Sequence, residues 1–291
     1  MSELVVQLFF HKPTWTATYV AWDPLSRKCA LIDTAADFDV STGKLSFEAA
    51  KEVQAYVAEH ELDVEWILET HAHADHLTAA QYLKKQYPQA KVGIGAGITV
   101  VQETFKPVFG AADVVADGSQ FDVLFKDGDE FKIGFIECRA MSTPGHTPAC
   151  TTYVCGSAAF TGDTFFHPDV GSARCDFPRG SATQLYESLQ KILSLPDHFR
   201  IYVGHDYPGD RREVETEITV ARMKAENKHV VSPDGHVYTR EEYIEMREKR
   251  DSQLNAPRLL LPSIQVNMRA GSLPPADHGA VCLRLPVKVE E

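Results

Sequence analysis

One stretch, Thr70-His71-Ala72-His73-Ala74-Asp75-His76, constrains what this chain can fold into more than any other. It sets three imidazoles and a carboxylate within six residues. Imidazole nitrogen and carboxylate oxygen are the usual protein ligands of zinc and non-haem iron. The residues before it, Val64 to Glu69, read as a strand, and residues 77–87 read as a helix. On a turn between strand and helix, several side chains can converge on one point. A polar turn with surface histidines is the plain alternative, and the tight His-x-His-x-Asp-His spacing argues against it.

Three other stretches repeat the device of an apolar strand that ends in a ligand-type residue. Ser142-Thr143-Pro144-Gly145-His146-Thr147-Pro148 presents His146 from a loop that Pro and Gly hold in shape. Phe160-Thr161-Gly162-Asp163-Thr164 ends in Asp163, and Ile201-Tyr202-Val203-Gly204-His205-Asp206-Tyr207 ends in His205. Layered α/β folds place their sites at such strand ends. A single histidine after a strand is more often structural, but the recurrence reverses that weighting. The other histidines, His11, His60, His167, His198, His229, His236 and His278, lack partners at ligand spacing and read as surface or structural, with His167 nearest the site in sequence.

Around these stretches, strands are expected at 3–10, 15–23 and 28–33, a helix at 47–59, a strand at 91–95 and a helix at 98–106. Leu31-Ile32-Asp33-Thr34 ends its hairpin in an acid. Strands follow at 121–125 and 131–136, then 136–141, 150–155 and 157–162. Helices at 181–194 and 211–225 flank a strand at 200–203. From about 226 the character changes: a charged helix spans 239–254, and the proline-containing tail 255–291 reads as irregular. Strands and helices thus fall in two similar halves, an α/β layered arrangement.

The chain has 291 residues, of which 44% are hydrophobic, enough to bury a large core without disulfides. Its six cysteines are scattered and include no C-x-x-C pair, which suits reduced thiols. Cys138, Cys150 and Cys155 read as buried and inert, whereas Cys175 sits in a polar loop, where an inert cysteine is the weightier reading and a reactive thiol near substrate its alternative. A net charge of −12 argues against a nucleic-acid partner but leaves room for a local basic pocket that takes a small anion. Met1 to Phe10 lacks a basic n-region and reads as a strand, and no apolar run reaches the roughly 18 residues of a membrane span. A cytoplasmic location with no membrane contact is the expectation.

The set His71-x-His73-x-Asp75-His76, His146, Asp163 and His205 resembles the metallo-β-lactamase superfamily over roughly residues 3–225. The resemblance implies a four-layer αβ/βα sandwich of the α+β class. It implies a catalytic domain at 1–225, with a C-terminal helix and extended tail at 226–291 packed on it. Within the superfamily, Arg174-Cys175-Asp176-Phe177 looks like the Arg-Thr-Asp-Phe segment of persulfide dioxygenases, and His205-Asp206-Tyr207 like their His-Asp-Tyr segment. Val266-Asn267-Met268-Arg269 resembles the end of the bacterial members. Cys175 departs from their threonine.

By that resemblance one Fe(II) per chain is held by His71, His146 and Asp163, a facial triad with open positions. His73, Asp75, His76 and His205 orient those ligands or hold a second metal. Glutathione persulfide and O2 are the implied substrates, sulfite and glutathione the products, and a homodimer the implied assembly. Tyr207 is the candidate hydrogen-bonding catalytic residue, its alternative being ordinary packing. Arg174, Arg179 and Arg269 are candidate partners for the glutathione carboxylates, each with a solvated surface charge as its alternative. The runner-up is a two-zinc thioester hydrolase of glyoxalase II type acting on lactoylglutathione. There, His71, His73 and His146 form one site, Asp75, His76 and His205 the other, and Asp163 bridges them. A third reading is a non-catalytic metal-binding or sulfide-sensing module.

Overall fold

The layering follows from which way alternate strand residues point. A computed structural model describes residues 3–287 and Val289, so the outermost residues of the 1–225 and 226–291 segments lie outside the described residues. In β2 (Thr16–Trp22), Ala17, Tyr19 and Ala21 face one buried cluster while Val20 and Trp22 face another. In β3 (Lys28–Ile32), Ala30 and Ile32 join the first cluster, Cys29 and Leu31 the second. In β14 (Arg200–Val203), Tyr202 faces the first cluster while Ile201 and Val203 face a third. Side chains alternate along a strand, so strands that are apolar at every position must be covered on both faces.

The result is two six-stranded sheets packed face to face, with helices on both outer sides. One sheet has the order β1 (Val5–His11), β2, β3, β6 (Asp63–Leu68), β8 (Lys91–Gly95), β9 (Val123–Phe125). The other runs β10 (Glu130–Ile133), β11 (Ile136–Ser142), β12 (Thr151–Cys155), β13 (Ala158–Gly162), β14, β15 (Glu217–Thr219). Tyr19, Phe125, Phe131, Tyr153 and Phe160 fill the space between the sheets. Burying each such aromatic contributes about 1.5–3 kcal/mol. Helices α1 (Glu48–Glu59), α2 (Ala80–Gln86), α3 (Ile98–Phe109) and α7 (Leu260–Asn267) cover the first sheet. Helices α4 (Ala182–Leu193), α5 (Val220–Glu226) and α6 (Arg240–Asp251) cover the second. This is the four-layer αβ/βα sandwich expected from the sequence.

Several elements differ from expectation. Residues 77–78 form strand β7 (Leu77–Thr78), not the start of a helix, because they pair with β4 (Ala35–Asp39) of a small third sheet completed by β5 (Lys44–Ser46). The expected helix at 211–225 is a loop, strand β15 and the short helix α5: Ile218 pairs with Ile201 at the sheet edge, and Thr219 caps the helix by accepting from the Arg222 N–H. The tail is not wholly irregular, since α7 forms with Pro262 in its first turn, where a missing N–H costs no intrahelical bond.

Both sheets deliver their strand ends to one edge. Strands β3 and β6 run parallel with Ile32 opposite Leu68, and β13 and β14 run parallel with Gly162 opposite Val203. Two buried phenols tie the sheets together there. The Tyr19 hydroxyl donates to the Val203 carbonyl at 2.7 Å, and the Tyr153 hydroxyl donates to the Glu69 carbonyl at 2.9 Å.

Candidate metal centre

The ligand-type residues that follow these strand ends converge. His71, His146 and Asp163 offer one atom each within 4.8 Å of one another, and His73, Asp75, His76 and His205 form a second such group. His71 Nε2 lies 3.8 Å and His146 Nε2 3.6 Å from Asp163 Oδ2. Asp163 Oδ1 lies 3.4 Å from His205 Nε2, which is 3.3 Å from Asp75 Oδ2. The two oxygens of Asp163 therefore face the two groups. Metal–ligand bonds of about 2.0–2.2 Å place neighbouring ligand atoms roughly 3–3.5 Å apart, so small contractions bring either group around one ion. His73 stands with Asp75, His76 and His205, whereas the two-metal resemblance implied a place beside His71 and His146.

The hydrogen bonds of the imidazoles select which nitrogen is left over. His71 Nδ1 bonds to Thr70 Oγ1 at 3.0 Å, His76 Nδ1 to the Leu77 carbonyl at 3.1 Å, His146 Nδ1 to the Arg174 carbonyl at 2.7 Å and His205 Nδ1 to the Trp15 carbonyl at 3.0 Å. Donating from Nδ1 leaves each Nε2 as a lone pair. His73 is reversed: its Nε2 donates to Asp33 Oδ1 at 3.1 Å and lies 3.1 Å from Glu69 Oε2, which leaves Nδ1 free. The atoms left over are His71 Nε2, His73 Nδ1, Asp75 Oδ2, His76 Nε2, Asp163 Oδ1 and His205 Nε2. All are buried with no hydrogen-bond partner among the described residues. Buried polar atoms are costly to leave unpaired, so six such atoms distributed over the two adjoining groups fit a bound cation.

The electrostatics point the same way. Burial and the neighbouring imidazoles push His71 well below its ordinary pKa, and burial with His73 pushes His76 down to about 3. Burial pushes the Asp163 carboxyl up. Burial opposes charge on His73, but Asp33 and Glu69 outweigh it and hold its pKa well above the ordinary value. Neutral rings at His71 and His76 keep lone pairs available to a cation, while burial opposes charge on His205 but the carboxylates of Asp75 and Asp163 outweigh it and raise its pKa.

Asp33 and Glu69 were not assigned to the site from sequence, although Asp33 was visible as an acid at a strand end. Asp33 also accepts from the Thr70 N–H at 2.7 Å and the Thr70 hydroxyl at 2.8 Å, so the cluster Asp33, Glu69 and His73 is the support of His73. Asn267 was missed altogether as a site residue. Its side chain, 3% exposed, donates to the carbonyls of His73 at 2.7 Å and His76 at 2.8 Å and accepts from the Thr78 N–H at 2.9 Å. Two glycines admit the carboxylate: Gly162 has φ +51° against the Thr70 side chain, and a Cβ on Gly204 would come within 2.7 Å of Asp163 Oδ1.

The site opens into a cleft of about 620 Å³ lined by Asp75, His146, Asp163, Phe166, Arg174 and Tyr207, and beyond them by the loop before α6 and by α6 itself. Tyr207 stacks on His205 with centroids 5.8 Å apart and is 39% exposed. Arg174 lines the cleft, but both arms of its fork are bound to Asp176 and a third nitrogen donates to the Asn255 carbonyl. The other two arginines lie away from the cleft lining. Arg269 is paired with Asp113 at 2.8 Å and with the Gln265 carbonyl, and Arg179 is exposed on a turn at φ +70°. Cys175 is buried rather than in a polar loop, and burial holds its thiol far above the ordinary value. His167 is bound between Asp169 at 2.7 Å and Glu215 at 2.8 Å.

Residues 16–205 match the family described as the metallo-β-lactamase superfamily. The chain belongs to the metallo-β-lactamase superfamily. This superfamily member is 46% identical to glyoxylase B2 of Dictyostelium discoideum over 97% of its length and 96% of that protein's. It is 45% identical to a β-lactamase hydrolase-like protein of Agrobacterium fabrum over 98% of its length, but spans only 65% of that longer protein. With the mitochondrial persulfide dioxygenase ETHE1 of Bos taurus, identity is 29% over 93% of this chain and 90% of the relative. The crystal structure of ETHE1 from Myxococcus xanthus superposes with a TM-score of 0.72 at 29% identity, covering 92% of this chain and all of that one. No helix among the described residues is long and apolar enough to cross a membrane.

Proposed function

We propose that this enzyme is an Fe(II)-dependent persulfide dioxygenase that converts glutathione persulfide, O2 and water to glutathione and sulfite. The observation that carries the reading is the triad of His71, His146 and Asp163, two imidazoles and one carboxylate from separate strand ends, of which His146 and Asp163 line an open cleft. Such a set leaves positions free for two reactants, which a closed structural site does not. Likeness to the persulfide dioxygenase of Bos taurus and to the Myxococcus structure supports it.

Iron bound by the triad supplies the one-electron chemistry that lets O2 react with a persulfide sulfur. The chain's own residues do the rest. The Arg174 carbonyl holds the His146 Nδ1–H, so Nε2 stays a ligand lone pair. Phe166, Val170 and Ala173 give the cleft an apolar wall that keeps water from the sulfur. Surrounding protein and the carboxylates of Asp163 and Asp75 hold the Tyr207 phenol well above its ordinary pKa, so it stays a hydrogen-bond donor to sulfur or to the developing sulfur oxyanion. The reading includes a cytoplasmic homodimer, which light scattering of the purified protein checks for its assembly.

A second reading, a two-zinc thioester hydrolase, is favoured by the unpaired atoms of Asp75, His76 and His205 and by Asp163 facing both groups. The Dictyostelium relative's name agrees with it. One preparation assayed both ways separates them. Oxygen uptake with glutathione persulfide and no lactoylglutathione hydrolysis is expected; rapid hydrolysis without oxygen uptake overturns the dioxygenase reading.

A further inference from the structure

Helix α6 docks on a stripe that is mostly charged. Of its twelve residues only Tyr243, Arg247 and Asp251 are buried, spaced four apart so that they lie on one face. A helix that docks for stability alone puts apolar side chains on that face, because a buried ion pair returns little after the cost of desolvation. All three side chains instead make hydrogen bonds to one loop. The Tyr243 hydroxyl bonds to the Ser172 hydroxyl at 2.8 Å, Arg247 Nη1 donates to the Ser172 carbonyl at 3.2 Å, and Asp251 Oδ2 accepts from the Cys175 N–H at 2.7 Å.

Arg247 and Asp251 complete each other. Nε and Nη2 of Arg247 donate to Asp251 Oδ1 at 3.0 and 2.6 Å, so the pair grips the loop backbone at Ser172 with one end and at Cys175 with the other. Between these two points lies Arg174, whose carbonyl accepts from His146 Nδ1–H at 2.7 Å. The same loop is held twice more from the C-terminal segment. The Ser172 N–H donates to His229 Nδ1 at 2.8 Å, and the Arg174 side chain donates to the Asn255 carbonyl at 2.7 Å. Arg247 lines the cleft, yet it is only 4% exposed and Asp251 5%, and each nitrogen of the guanidinium and each oxygen of the carboxylate already has a partner. A fully satisfied buried network of this kind fixes one geometry. His229, Tyr243, Arg247, Asp251 and Asn255 all lie beyond the residues matched to the superfamily.

We propose that Arg247 and Asp251 are positioning residues for the metal ligand His146. The pair fixes the peptide between Ser172 and Cys175 so that the Arg174 carbonyl meets the imidazole N–H, which keeps Nε2 as the lone pair turned to the metal. Without the pair the loop is free to rotate, the carbonyl leaves Nδ1, and the ring is held in neither orientation nor tautomer. This rests on the reading of His146 as a metal ligand, and it holds for an oxygenase and a hydrolase alike. Helix α6 therefore holds in place a ligand that it does not supply.

Competition of a chelator for cobalt(II), with the visible spectrum of the cobalt-loaded protein, tests the proposal without turnover. Asp251→Ala is expected to weaken cobalt binding about 10–100-fold and to change the spectrum. The double variant Arg247→Met/Asp251→Leu, which leaves no unpaired charge, is expected to do the same. Asp251→Asn keeps an oxygen for the Cys175 N–H and is expected to recover part of the loss. Ile244→Ala loosens the packing of α6 away from the pair, so it should lower the melting temperature and still bind cobalt as wild type does. Wild-type affinity and spectrum in the double variant overturn the proposal, as does a loss in Ile244→Ala equal to that in the double variant. His146→Ala separates the proposal from the reading beneath it. Wild-type cobalt affinity in His146→Ala refutes the ligand reading, and the positioning role falls with it. Weakened binding in His146→Ala beside wild-type binding in the double variant refutes only the positioning role.

Discussion

Replacing Asn267 by alanine removes a clamp that connects the C-terminal helix to the metal-ligand loop. The side chain makes three short hydrogen bonds, to the carbonyls of His73 and His76 and from the N–H of Thr78. Thr78 in turn donates through its hydroxyl to Glu69 Oε1, and the other oxygen of Glu69 stands 3.1 Å from His73 Nε2. Each buried group left without a partner costs about 1–3 kcal/mol, less for a carbonyl that other contacts relieve, so the variant should lose about 3 kcal/mol. For a chain of this size that lowers the melting temperature of the metal-free protein by roughly 6–10 °C. The ligand loop is also freed, and loosening the support of metal ligands typically weakens metal binding about 10–100-fold. Asn267→Asp is expected to be at least as harmful. It keeps the acceptor for Thr78 but turns a carboxylate oxygen towards two carbonyls. Melting of the metal-free protein, chelator competition and the visible spectrum of the cobalt-substituted site read the two effects separately. A variant that melts early but holds metal with wild-type affinity and spectrum would refute the link between α7 and the metal centre.

Gly204→Ala should displace Asp163, because the new Cβ stands 2.7 Å from its Oδ1, and elemental analysis should find little bound metal in a chain whose circular dichroism is unchanged. Of the six cysteines only Cys282 is exposed, so a thiol reagent should label one thiol quickly in the native protein and six after denaturation. Cys175→Ser should leave the native count at one. His229 is lowered from 6.5 to about 3 by burial and the nearby cations, so the folded state favours the neutral ring. Its contribution to stability is present above pH 6.5 and is lost as pH falls towards 3. His229→Gln should therefore flatten the acid limb of a plot of melting temperature against pH, and an unchanged limb would assign the loss to other groups.

The candidate metal-ligand residues were legible because each is a local event, an apolar strand that stops and a ligand-type residue that follows. Even Asp33 shows that device, though nothing local tells that its partner is His73, forty residues on. Asn267 and the loop it holds are separated by 189 residues or more, and only the packing of α7 on the first sheet joins them. Of the three candidate arginines Arg174 lines the cleft, whereas the placement of Arg179 and Arg269 away from its lining was illegible for the same reason. Whether a guanidinium faces a cleft or a carboxylate of its own chain is decided by tertiary neighbours, as Asp113 decides it for Arg269. The helix expected at 211–225 was misplaced because its stripe of Val214, Ile218 and Ala221 also suits an edge strand followed by a capped turn. Layering, by contrast, was readable from the continuous apolar strands, whose two faces must both be covered.

The metal content of the protein purified without oxygen tests the account most directly. One iron per chain, lost on His146→Ala and retained on His76→Ala, is the result the triad of His71, His146 and Asp163 predicts. Two zinc ions per chain, with one lost on His76→Ala, would contradict it.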